Sequence, residues 1–168
     1  MLYEEKDGSI EQTQDDDKKT NDYKDCKDCK DCICEMLLDI LEKQEAYQKS
    51  KVNPCSLLNS DRLTLHATVP FILQTPYGHP FFTWGHVGTD DCFITTFFRV
   101  IKVDCDQNCA VLQLLRPNVS IVDPETNCVE ADSLCDVDFV TLTKECVLVD
   151  LSCYTSIKCI SPEFVMKD

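Results

Sequence analysis

The chain has 168 residues and a formal net charge of -14, from 30 Asp and Glu against 16 Lys and Arg. This length fits one domain of ordinary size with an appended tail. Because a negative field repels phosphate backbones and anionic lipid surfaces, we expect neither nucleic acid nor a membrane as a partner.

Cysteine usage conflicts with the compartment that the sequence indicates. No run approaches the roughly 18 apolar residues of a spanning helix, and the first nine residues lack the apolar core of a secretory leader, so we expect synthesis in a cytosol. Thirteen cysteines would normally indicate an oxidising compartment. Either metal ligation by the cysteines or their oxidation at a later stage would resolve this conflict. Because the number of cysteines is odd, at least one sulfur must bond another chain or a small thiol if all of them are oxidised.

The first two segments are a polar tail and a cysteine-rich arm. Residues 1–24 hold almost no apolar side chains, which predicts a disordered acidic tail. Residues 25–34 repeat the unit KDC and carry Cys26, Cys29, Cys32 and Cys34. A flexible arm can reach the geometry of a disulfide with a neighbouring chain without strain. The alternative is a zinc-binding module in which these four thiolates are the metal ligands.

The next segment, residues 35–50, reads as an amphipathic helix. Ile33, Met36, Leu37, Ile40 and Leu41 recur at the spacing of one helix face, which predicts a helix from Cys34 to about Lys49. Asn53 and Pro54 then end the helical pattern.

Residues 55–168 read as an all-β domain of about eight short strands. Runs of Val, Ile, Thr and Phe alternate with Pro, Gly, Asn and Asp, which is typical of an antiparallel β-sandwich, here expected to be jelly-roll-like. In Phe93 to Val103 apolar residues occupy both faces, so a second sheet or a subunit should cover this strand on each side. The predicted strands include Phe71 to Gln74 and Asn127 to Ala131.

The remaining patterns do not indicate catalysis. The chain lacks GxSxG, GxxxxGK and GxGxxG motifs, and its three histidines lack the spacing of metal ligands. We therefore predict a protein that is not an enzyme and has no cofactor. A thiol oxidoreductase using Cys34 at the helix start is a lesser alternative. Cys105 and Cys109 flank a predicted hairpin turn, where either a local or an intermolecular disulfide is possible.

Several ordered blocks resemble the CotY, CotZ and ExsY family of cysteine-rich spore coat and exosporium proteins from endospore-forming bacteria. The blocks are CICEMLLDILEKQEA (Cys32 to Ala46), VPF (Val69 to Phe71), FTWGHVG (Phe82 to Gly88), CFITTFFRV (Cys92 to Val100), LQLLRP (Leu112 to Pro117) and DLSCYTSIKCISPE (Asp150 to Glu163). The resemblance runs from about Cys32 to Glu163, whereas the acidic tail and the KDC repeats depart from the family's shorter leaders.

The resemblance implies a structural protein of the spore surface, in the exosporium or outer coat, made in the mother cell and oxidised after that cell lyses. It further implies self-assembly into hexameric rings that tile into a two-dimensional lattice, locked by intermolecular disulfides and joined by other spore coat or exosporium proteins. Within that scheme we expect the β domain to form the ring through Phe93, Phe97 or neighbouring aromatic residues. The candidates for intermolecular disulfides are Cys26, Cys29, Cys32, Cys34, Cys105 and Cys109.

Overall fold

The computed structural model describes residues 32–50 and 68–166. Its elements in chain order are helix α1 (Cys32–Ser50), strands β1 (Phe71–Gln74), β2 (Thr83–Gly85), β3 (Phe93–Thr95), β4 (Phe97–Asp104) and β5 (Cys109–Pro117), helix α2 (Ala131–Cys135), and strands β6 (Val140–Asp150), β7 (Ser156–Cys159) and β8 (Val165–Met166). Single 3-10 turns at Leu151–Cys153 and Pro162–Phe164 precede β7 and β8.

Six strands form one sheet in the order β7-β1-β4-β5-β6-β8, and β2 pairs with β3 in a separate two-stranded β ribbon. All pairings are antiparallel except that of β6 with β8. The long central pairs place Val100 opposite Leu112 and Leu112 opposite Val147, so side chains from three strands share one face.

Helix α1 covers the first face of the sheet, here called the helix face. Its Leu37 and Ile40 pack with Phe98, Leu112 and other buried residues in a single hydrophobic cluster. The amide of Gln44, 2% exposed, reaches both neighbouring backbones. Its Nε2 donates to the Val100 carbonyl at 3.0 Å and its Oε1 accepts from the Val69 N–H at 3.0 Å. Both halves of a buried amide are thereby satisfied, which fixes the helix against the sheet.

The opposite side of the sheet, here called the outer face, is covered over only part of its area. Phe97 and Leu115 pack there with Ile121 and Val137 from the segment between β5 and β6, and with Val165 of β8. β3 ends at Thr95, whose buried hydroxyl donates to the Leu115 carbonyl and accepts from the Phe97 N–H, so the strand is interrupted at Thr96. The chain thus passes from the ribbon into the main sheet within two residues.

The mainly β class and the N-terminal helix are confirmed. The six-stranded sheet with its ribbon does not confirm the finer jelly-roll expectation, and α1 supplies the layer on one face.

The strand predicted at Asn127 to Ala131 is wrong: this segment holds a single bridge between Val122 and Val129, and α2 begins at Ala131. The Asp123 carboxylate accepts from the N–H groups of two following residues, which favours a turn there. The predicted tail, most of the arm and the start of the predicted β domain lie outside the described residues.

Candidate functional site: cysteines and the aromatic ribbon

A disulfide joins the first turn of α1 to the end of β4. Cys34 and Cys105 are bonded within the chain, with Cα atoms 5.7 Å apart although the two residues are 71 positions apart in sequence. The Cα separation lies within the usual disulfide range of about 4.4 to 6.8 Å. Cys34 is 1% exposed and belongs to the cluster under the helix, so this bond fastens α1 to the helix face.

This bond corrects several expectations for Cys34 and Cys105. Both residues were candidates for bonds to neighbouring chains, with a local bond left open for Cys105, but each sulfur already has a partner in its own chain. A zinc site made of all four arm cysteines also loses one ligand, because zinc binds thiolates and a disulfide sulfur is not one. Cys34, which is buried and disulfide-bonded, likewise cannot serve as the accessible thiol of an oxidoreductase.

Cys109 lies on the opposite face of the sheet from Cys105. Cys109 pairs with Asp104, whereas the neighbouring pair of Val103 and Ala110 packs under the helix with Cys105. Because successive side chains of a strand alternate between faces, Cys109 points away from the helix face. It is a half-buried free thiol. Of the two residues at this turn, it is the one that keeps a sulfur for another chain.

Most of the other cysteines are free and on the surface. The exposed free thiols in the described part of the chain are Cys32, Cys92, Cys128, Cys135, Cys146, Cys153 and Cys159. They come from α1, α2, three strands or their flanks and two connections, so they face several directions. Partial burial raises the pKa of the Cys159 thiol, while Lys43 opposes that shift. Cys26 and Cys29 lie outside the described residues. Sequence reasoning had no signal to separate these exposed thiols from buried ones.

The FTWGHVG block forms β2 and the start of a turn that is closed by an ion-pair network. The Phe93 ring lies over Gly85, where an added Cβ would overlap the ring. The Arg116 guanidinium lies 5.2 Å from the ring centroid, and the His86 ring packs edge-on at 5.4 Å. Asp91 joins both side chains, accepting from Arg116 Nη1 at 2.6 Å and contacting His86 Nδ1 at 2.9 Å. Hydrogen bonds from these two groups, Arg116 first, lower the pKa of the Asp91 carboxyl.

The aromatic side chains exposed on this ribbon differ from those that we expected at subunit contacts. Phe97 is 2% exposed and lies in the core of its own chain, and Phe93 is held against Gly85. Trp84 and Phe82 are instead 55% and 40% exposed and contact each other edge to face. Trp84 and Cys92 line a cavity of about 390 Å³ beside Arg116. Trp84 and Phe82, and not Phe97, are therefore the aromatic residues that this region exposes.

The described residues form neither a cluster of metal ligands nor a membrane-spanning helix. Within 32–50 and 68–166, no group of three or more His, Cys, Asp or Glu side chains is arranged to hold a metal ion. Neither helix in those ranges has the length and apolar character to cross a membrane.

Comparison with known proteins places this geometry in context. A family model described as spore coat protein Z matches residues 18–162. The chain is also similar to spore coat protein Z of Bacillus subtilis (strain 168), with 33% identity over 140 residues that cover 79% of this chain and 90% of that protein. No solved structure matches the chain.

Proposed function

The chain belongs to the spore coat protein Z family, and on that premise we propose that it is a structural, non-catalytic protein of the spore surface whose copies are joined by disulfides into a two-dimensional layer. The coarse role, a structural spore coat protein, follows from the family. The finer proposal is a hexameric ring that tiles into sheets in the outer coat or the exosporium basal layer, docked to other proteins of that layer.

The observation that carries the proposal is the distribution of thiols. One disulfide is internal, whereas seven free cysteines are exposed on several sides of the described domain. Disulfides between chains require accessible thiols on more than one side if a layer is to extend in two directions. Cytosolic synthesis keeps such thiols reduced, and oxidation after release of the spore would then fix contacts already made.

Two contact regions fit this assembly. The exposed pair of Trp84 and Phe82 has the aromatic character of interface anchors, and we assign it to the ring contact in place of Phe93 and Phe97. Cys26, Cys29 and Cys32 of the arm remain the candidates for bonds between rings, with Cys109 as a further candidate on the domain.

Electron microscopy and gels of the purified chain test this proposal. We expect ordered sheets after oxidation, ladders on a non-reducing gel that collapse with reductant, and isolated rings when Cys26, Cys29 and Cys32 are all replaced by Ser. The matched control is Cys34→Ser with Cys105→Ser, which removes two cysteines but should leave the ladder, since that pair is internal. A chain that stays monomeric and dispersed after oxidation would refute the layer. Ladders unchanged in the arm variant would move the crosslinks to the domain.

A further inference from the structure

Strand β6 has a long edge with no neighbouring strand in the described part of the chain. β5 pairs with β6 from Val140 to Asp150, whereas β8 pairs on its other side only at Val140 and Thr141. Residues 142–150, here called the free edge, therefore have no strand partner on that side among the described residues. An unpaired edge presents backbone N–H and C=O groups that another strand can bond.

The side chains of the free edge alternate regularly between exposed and covered positions. From Lys144 onward the even-numbered residues are exposed and the odd-numbered residues are half-buried or buried. Cys146, Leu148 and Asp150 pair with outer-face residues of β5 and share the outer face, and the exposed Lys144 continues this alternation within the irregular step of the strand. Leu148 is 68% exposed, so an apolar side chain lies on the uncovered side of the edge. The edge thus combines free backbone groups with an exposed apolar side chain.

We propose that the free edge binds the free edge of a second copy, in an antiparallel pair centred on Val147 that joins two six-stranded sheets into one. The choice of a second copy rests on the proposed function, which requires contacts between identical chains. In an antiparallel pair related by a two-fold axis, both copies use the same surface, so the unpaired backbone groups of one free edge can bond those of the other.

Charge complementarity selects the register. With Val147 opposite its own symmetry mate, Lys144 lies opposite Asp150 of the second copy, and Asp150 lies opposite the other Lys144. Cys146 and Leu148 likewise lie opposite Leu148 and Cys146 of the second copy. Centring the pair on Cys146 or Leu148 instead removes both opposite-charge contacts. Opposite charges facing each other across strands stabilise a pair, and like charges oppose it.

The strength of the contact should be modest, because pairing a few residues covers less area than a standard stable interface of about 1,200 to 2,000 Å². The irregular pairing between Gln113 and Leu115 also limits the regular run of β6. A weak, reversible contact suits a layer that is assembled first and crosslinked afterwards, because misplaced copies can still dissociate.

Sedimentation of the full chain in strong reductant measures this contact without the intermolecular disulfides of the proposed function. We expect concentration-dependent association that Lys144→Glu and Leu148→Lys each weaken at least about tenfold, and slower amide hydrogen exchange in 142–150 on association. The matched control is Lys102→Glu, the same charge change on an exposed outer-face residue of the interior strand β4. Far-ultraviolet circular dichroism must show that each variant is folded.

The register has its own test. Val147→Cys should give a homotypic disulfide between residues 147 of two copies, because directly opposite Cα atoms lie about 4.5 to 5.5 Å apart. Val149→Cys is the control, since residue 149 would face Glu145 of the second copy. Exchange in 142–150 that does not change with concentration, or equal weakening by Lys102→Glu, would overturn the proposal. Failure of oxidised chains to form sheets, with the edge contact intact, would instead refute the proposed layer alone.

Discussion

Replacing Gly85 with Ala is expected to destabilise the domain by about 3 kcal/mol, because the new Cβ would overlap the Phe93 ring. Of the three nearest ring atoms, even the farthest, Cε2, would lie 3.0 Å from the new carbon, and the other two would lie closer. Favourable carbon contacts begin at about 3.5 Å. The ring has little freedom to yield, since His86 and Arg116 pack against it. The cost should therefore fall near the top of the range of about 1 to 3 kcal/mol for overpacking.

A double-mutant cycle in urea tests this reasoning. Phe93→Leu removes most of the obstacle, so Gly85→Ala should cost less than about 1 kcal/mol in that background, a coupling of about 2 kcal/mol. Gly88→Ala is the matched control: Gly88 has a φ of +83° and open space around its Cβ position, so its strain should be the same with and without the Phe93 ring. Equal costs of Gly85→Ala in both backgrounds would refute the overlap.

Two further predictions concern the internal disulfide and pH. Replacing Cys34 and Cys105 with Ser should lower the free energy of unfolding in urea by about 4 kcal/mol, the chain-entropy value for a loop of this length; a loss below about 1 kcal/mol would show that α1 is held by packing alone. The folded pKa of Asp91 lies below its ordinary value of 3.8. The ionised carboxylate therefore stabilises the folded state above pH 3.8, and this stabilisation is lost as the pH falls through the lower folded pKa. The fluorescence of Trp84, the single tryptophan, should report this acid transition of the ribbon, and the same transition in Asp91→Asn would contradict the assignment.

Much of the secondary structure could be predicted because local pattern dominates it. The strand predicted at Phe71 to Gln74 has the observed bounds, and the run from Phe93 to Val103 is indeed buried on both faces over its central part. The interruption at Thr96 could not be predicted, because it depends on a hydroxyl meeting the Leu115 carbonyl. The burial of Gln44 was likewise not predicted, because a glutamine normally faces solvent, although this position continues the apolar face of an amphipathic helix.

The candidate site was predictable in kind but not in pairing. The sequence identified cysteine as the relevant chemistry, yet two residues 71 positions apart carry no local sign that they will meet. Phe93 and Phe97 were expected at subunit contacts because they lie in a long apolar run. Apolar residues in such a run are the ones that the protein buries in its own core, as Phe97 shows. Trp84 lies in the FTWGHVG motif, but the sequence alone did not indicate that its side chain is exposed.

The position of the internal disulfide sets a length scale for the arm. Cys34 is held to the sheet, so Cys26 is tethered to a fixed point by eight residues and Cys29 by five. At about 3.5 Å per extended residue as far as Cys32, and about 1.5 Å per residue for the helical steps to Cys34, these cysteines can reach no farther than about 24 Å and 14 Å from that point. In the proposed layer, neighbouring subunits linked through the arms would have to present their acceptor thiols within that distance of Cys34, which sets an upper limit on the spacing of subunits.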